Sequence, residues 1–154
     1  MRYFEDIVVG ERIESTGSFE LTEDEIVSFC RKWDPLPFHT DPAAAARTPM
    51  GKLFTSAIHT IAIGANLMHS AGADPVAVLA GLGWDEVRFV APACVGDRLT
   101  ATTEVIEARP SEGKSDRGIV RYFLEVKNQH GKTVASFKTS VLVWRRGAEG
   151  APKG

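Results

Sequence analysis

The chain has 154 residues, 44% of them apolar and 25% charged, with a formal net charge of −2. That length suits one domain with a sizeable core, and the near balance of charge leaves no basic stripe of the kind nucleic-acid binding needs. Its first residues, Met1-Arg2-Tyr3-Phe4-Glu5-Asp6, are charged at once with no apolar run, so no signal peptide is expected. Cys30 and Cys94 stand far apart without C-x-x-C spacing, and two buried thiols in a cytoplasmic protein are expected in preference to one disulfide.

Residues 12–19 read as a first strand after a turn at Gly10. Leu21-Thr22-Glu23-Asp24-Glu25-Ile26 then opens a helix: Thr22 can cap, Glu25 can reach back to it, and Leu21 can staple to Ile26. Apolar residues recur at Ile26, Phe29, Cys30 and Trp33, the spacing of one helical face, and Pro35 ends the run. Asp34-Pro35-Leu36-Pro37-Phe38-His39 follows. Each proline fixes its own φ and pushes the residue before it toward extended geometry, so this stretch is expected to be stiff and non-helical. A short helix over residues 41–47 comes next, with Asp41 as its cap and Pro42 in its first turn.

Residues 53–73 contain no Asp, Glu, Lys or Arg. Thr55, Ser56, His59, Thr60, Asn66, His69 and Ser70 make the stretch too polar to cross a membrane. Residues 55–70 are expected to form a helix closed by Gly72 and enclosed on several sides by the rest of the domain. Everything after Pro75 reads as strand: residues 76–89, 98–108, 118–127 and a last strand beyond the hairpin at Asn128-Gln129-His130-Gly131. Residues 110–117 read as a loop and residues 147–154 as a disordered tail, leaving one domain over 1–146. One buried helix followed by long antiparallel strands is an α+β plan in which the sheet curls around the helix.

The chemistry concentrates at Asp34 and His39, a carboxylate and an imidazole that a stiff loop can hold at fixed separation for acid–base work. On spacing alone, Asp34 could equally be a turn residue and His39 a cap. Asp34, His39 and Asp41 could also offer a metal a carboxylate–imidazole–carboxylate set, but no further ligands accompany them, and no metal is expected. His59 reads as a satisfied core histidine, His69 as a cation at a helix C-terminus and His130 as solvated. No Gly-x-Ser-x-Gly elbow and no phosphate-cradling glycine loop is present.

Asp34-Pro35-Leu36-Pro37-Phe38-His39-Thr40-Asp41 resembles the signature of the MaoC-like dehydratases, relatives of the R-specific enoyl-CoA hydratases, in Asp34, Pro37 and His39. The likeness continues through Gly51 to Thr60, Leu82 to Phe89, Pro92 to Asp97, Arg117 to Val120 and Asn128 to Gly131. Two positions depart from the pattern: Leu36 stands where it has Asn or Gln, and Ala57 where it usually has Gly.

The resemblance implies a hot-dog fold, a long helix wrapped by an antiparallel sheet, with Asp34 and His39 as the catalytic pair. It implies reversible hydration of an enoyl-CoA thioester, the coenzyme A ester being substrate and no resident cofactor being needed. Ser56 and Ala57, at the start of the central helix, would supply oxyanion donors, with Phe38 beside the substrate. An apolar channel between helix and sheet would take the acyl chain, and Arg88, Lys114 and Arg117 are candidates for the coenzyme A phosphates. A lone unit of this fold leaves a sheet edge and a helix face uncovered, so a homodimer or a dimer of dimers is implied. An acyl-CoA thioesterase and a non-catalytic acyl-CoA-binding protein remain alternatives on the same fold.

Overall fold

The structure, a computed structural model, describes residues 1–69 and 74–153. After a single 3-10 turn at Phe4–Asp6 come β1 (Arg12–Glu14), β2 (Phe19–Glu20), α1 (Glu23–Trp33), α2 (Pro37–Thr40), α3 (Pro42–Ala46) and α4 (Ala57–His69). Four long strands complete the chain: β3 (Val78–Phe89), β4 (Arg98–Pro110), β5 (Arg117–Lys127) and β6 (Thr133–Trp144). The sheet runs β1-β4-β5-β6-β3, antiparallel at every pairing, with β2 against the start of β4. The single strand expected over residues 12–19 is therefore two short ones. Ser15 draws the chain off β4, its N–H donating to Ala101 O and its Oγ accepting from Ala101 N–H.

Helix α4 lies in the concavity of the sheet, as the hot-dog arrangement requires. Ile61, Ile63 and Leu67 belong to a core that also holds Leu99, Ala101, Leu124, Val126 and Phe137 from the sheet. Gly64 lets the helix sit down on β5, since a Cβ there would lie 2.8 Å from Val126 Cγ2. The opposite face is open: Ala57, Ile58, Ala62 and Asn66 are exposed, Ile58 by 54%. So α4 is not enclosed on every apolar side within one chain. At the sheet's edge, β3 likewise exposes Val78, Leu82, Trp84 and Phe89. These are the uncovered helix face and sheet edge anticipated for a lone unit.

Thr22 caps α1 by accepting from Glu25 N–H at 3.2 Å, while its own N–H goes to Glu20 O instead of to the Glu25 side chain. Trp33, expected on the buried face, is 58% exposed, with Lys32 Nζ 5.0 Å from its ring. Asp41 Oδ1 accepts from Ala43 N–H at 2.8 Å and caps α3, and Pro42 occupies the first turn. Ser70 and Gly72, the expected end of α4, lie outside the described residues. Of the expected tail, residues 147–153 are described and turn back toward the N-terminus. Tyr3 Oη donates to Pro152 O at 2.6 Å, and Arg146 pairs with Asp6. Gly154 is outside the described residues. None of the described helices is long and apolar enough to cross a membrane.

Candidate active site

Asp34 follows the last turn of α1, with its N–H bonded to Cys30 O at 2.9 Å. Its φ of −157° and ψ of 71° break the helix, as a residue before proline must. Leu36 is extended, with φ −73° and ψ 139°, for the same reason. The stretch beyond it departs from the non-helical expectation, because Pro37 starts the single turn α2, a first-turn position where its missing N–H costs nothing. That turn carries His39 inward. Its N–H bonds to Leu36 O at 2.9 Å, and Leu36 N–H bonds to Asp34 O at 2.8 Å, so the loop is closed on itself.

His39 is 5% exposed and lies edge-on to the rings of Phe38 and Phe54, at 4.6 and 4.9 Å between centroids. Its Nδ1 is 2.8 Å from Phe54 O. A carbonyl can only accept, so Nδ1 carries the proton and, in the neutral ring, Nε2 presents a lone pair. Nε2 lies 3.8 Å from Asp34 Oδ2, whose side chain is 27% exposed. Both facing atoms are then acceptors, too far apart to bond directly and spaced so that one water molecule could donate to each.

Ser56 and Ala57 follow Phe54 by two and three residues. Ser56 is fully buried and its Oγ accepts from His59 N–H at 3.3 Å, which makes it the cap of α4. Ala57 is exposed, and the first-turn amides there have no partner within the helix. Phe38 stacks on Phe54 at 5.4 Å. Leu36 is 44% exposed beside the pair and offers it no polar side chain.

The three basic candidates do not come together. Arg88 is opposite Ser136 near the start of β6, whereas Arg117 is opposite Trp144 at its end. Eight residues of strand separate those positions, roughly 27 Å. Arg117 is also engaged already, both Nε and Nη2 donating to Asp116 at 2.7 and 2.8 Å, and its side chain lies against Trp144. Lys114 is exposed in the loop before it, and Arg88 is exposed on β3. At Gly64 helix and sheet are in contact, which leaves no room there for an acyl chain between them. Two surface hollows, one walled by Leu82, Asp85, Glu107 and Arg121 and one by Arg12, Glu104 and Glu125, lie on the sheet, away from Asp34 and His39.

Residues 6–128 match the family model described as the MaoC like domain. The chain belongs to that family. A MaoC-like dehydratase from Rhodospirillum rubrum superposes on it with a TM-score of 0.86 at 33% identity, covering 95% of this chain and 99% of that one. R-hydratase PhaJ1 from Pseudomonas aeruginosa gives a TM-score of 0.75 at 26% identity, over 94% of this chain and 86% of its own. The 3-hydroxyacyl-thioester dehydratase Z of Mycobacterium tuberculosis is 29% identical over 113 residues, 69% of this chain and 75% of that protein. Within this MaoC-like domain the group that sequence reasoning missed is the carbonyl of Phe54. A backbone oxygen leaves no mark in a sequence, and only the fold brings residue 54 beneath residue 39.

Proposed function

We propose that this MaoC-like protein is a hydro-lyase that reversibly adds water to a trans-2-enoyl thioester of coenzyme A, giving the R-3-hydroxyacyl thioester. The observation that carries the reading is the 3.8 Å gap between Asp34 Oδ2 and His39 Nε2, with Nδ1 already committed to Phe54 O. A water held between two acceptors keeps both protons turned toward them and a lone pair free for Cβ. In the forward step the water oxygen bonds to Cβ and the π electrons move onto Cα and the thioester oxygen. One water proton passes to the pair and a proton is returned from the pair to Cα, so the sum is one water added. Amides at the start of α4, around Ser56 and Ala57, would meet the charge that develops on the thioester oxygen, backed by the helix dipole. Two side chains supply both proton transfers, so the reading calls for no resident cofactor.

The substrate would lie against the open face of α4, and the reading includes a homodimer in which a second copy covers that face and the β3 edge. The free, buried thiols of Cys30 and Cys94 suit a reducing compartment, the cytoplasm. Crotonyl-CoA and longer enoyl-CoAs test the activity through loss of the conjugated chromophore and the configuration of the product. Release of free thiol would replace the reading with a thioesterase. Thermal stabilisation by acyl-CoA without turnover would replace it with a binding protein.

A further inference from the structure

Among the described residues, a buried polar cluster at the start of α4 is left unused by the mechanism. His59, in the first turn of α4, is 4% exposed and stacks face to face on Phe29 of α1, 4.1 Å between centroids and 8° between planes. Phe19 of β2 meets it edge-on at 6.3 Å. Its Nδ1 is 2.6 Å from Thr55 Oγ1, itself buried, and that hydroxyl is 3.8 Å from Cys30 Sγ. Burial drives the imidazole's pKa down to about 4, so at neutral pH the ring is uncharged and makes this contact as a neutral partner.

What makes the cluster more than core is where its two ends lead. Cys30, whose side chain meets the Thr55 hydroxyl, holds the Asp34 N–H with its carbonyl at 2.9 Å. Thr55 is joined directly to Phe54, whose carbonyl holds His39 Nδ1 at 2.8 Å. A closed circuit thus runs from Asp34 through Cys30, Thr55 and Phe54 to His39. Thr55 is also pinned on its other side, its N–H bonding to Ala93 O at 2.9 Å. A hydroxyl rotates freely unless its partners fix it, and His59 is the partner at the shortest distance.

We infer that His59, acting through the Thr55 hydroxyl, is a positioning residue that sets the gap between Asp34 and His39. The inference rests on the hydratase reading for its catalytic consequence but not for its structural one. His59 fixes where the Thr55 side chain sits between α1 and the segment leading into α4. That segment in turn carries the carbonyl that orients His39, while α1 carries Asp34.

The test pairs Thr55→Val, which keeps the shape and removes the hydroxyl, with Thr55→Ser, which keeps the hydroxyl and drops a methyl. Two readouts are taken: kcat and KM with crotonyl-CoA, and the 15N-edited ring spectrum of His39. Thr55→Val is expected to lower kcat about tenfold or more with KM within about twofold, and to shift the His39 ring resonances. Thr55→Ser is expected to restore both to near the wild type. A folded Thr55→Val protein with wild-type kcat and unshifted His39 resonances would overturn the inference. The spectrum decides even if no enoyl thioester is turned over, so failure of the hydratase reading is told apart from failure of this one. Wild-type protein gives a check that needs no variant. Its spectrum at neutral pH should show His39 protonated at Nδ1, and protonation at Nε2 alone would break the circuit at Phe54 and overturn the inference.

Discussion

His39 Nδ1 and the carbonyl oxygen of Phe54 stand 2.8 Å apart in a partly buried setting, and this contact decides which ring nitrogen faces Asp34. It also makes His39 part of the structure. A hydrogen bond of this kind contributes about 0.5–1.5 kcal/mol, and leaving its acceptor unpaired costs about 1–3 kcal/mol. His39→Ala also removes the ring that lies edge-on to the stacked pair Phe38 and Phe54. The variant is therefore expected to lose activity and melt several degrees lower, as read by thermal denaturation. An unchanged melting temperature would mean that the ring is not held as described.

Gly64 is where α4 touches the sheet. Alanine gains about 1 kcal/mol in helix propensity, but its Cβ would approach Val126 Cγ2 to 2.8 Å and Leu124 Cδ2 to 3.2 Å. Both neighbours are buried, and valine has few rotamers to retreat into. Overpacking costs about 1–3 kcal/mol, so after the propensity gain Gly64→Ala is expected to lower stability by up to about 2 kcal/mol net and Tm by up to roughly 8 °C. A stabilised variant would show that helix and sheet are less closely packed.

Acid should weaken the fold through His59. The native imidazole has a pKa near 4, because burial disfavours its charge. An unfolded histidine has one near 6.5. Between those values the unfolded chain binds a proton that the native chain refuses, so stability is intact above about 6.5 and falls as pH drops toward 4. The slope from this group is at most about 1.4 kcal/mol per pH unit. Urea denaturation across that window should show a steeper decline for the wild type than for His59→Phe, which cannot take the proton. Equal slopes would place His59 in a wetter setting.

Much of this was readable beforehand. Thr22 and Asp41 cap the helices assigned to them because capping is local chemistry, and the alternation along β5 survives because one face is core. Asp34 and His39 meet because two prolines and a helix end confine six residues. Where the reading went astray, the cause was non-local or lay in a choice the sequence left open. Pro37 both ends extended backbone and begins a helical turn, and Leu36 gives no sign of which it will do. Arg88 and Arg117 read alike in sequence, yet antiparallel register sends them to opposite ends of β6. The stretch without charges marked α4 as enclosed on several sides, but its sequence does not say which side stays open; the fold leaves Ile58 and Ala62 there, on the uncovered face implied for a lone unit.

A neighbour for that face can be sought directly. If a second copy covers Ile58, Ala62 and the β3 edge, the 16.7 kDa chain should sediment at about twice its mass or a multiple of it. Val78→Lys with Trp84→Lys puts charge on two exposed apolar edge positions and should shift the distribution toward monomer. A wild-type protein that stays monomeric at high concentration would require another explanation for the uncovered face.

The most direct measurement is turnover of crotonyl-CoA by the wild type and by Asp34→Asn, an almost isosteric change that removes the charge opposite His39 Nε2. The wild type is expected to consume the conjugated ester and form the R-3-hydroxy product, and the variant to lose at least a hundredfold in kcat on the order expected for one acid–base group, with little change in melting temperature. An Asp34→Asn protein as active as the wild type would contradict the claim that this carboxylate and this imidazole share one water.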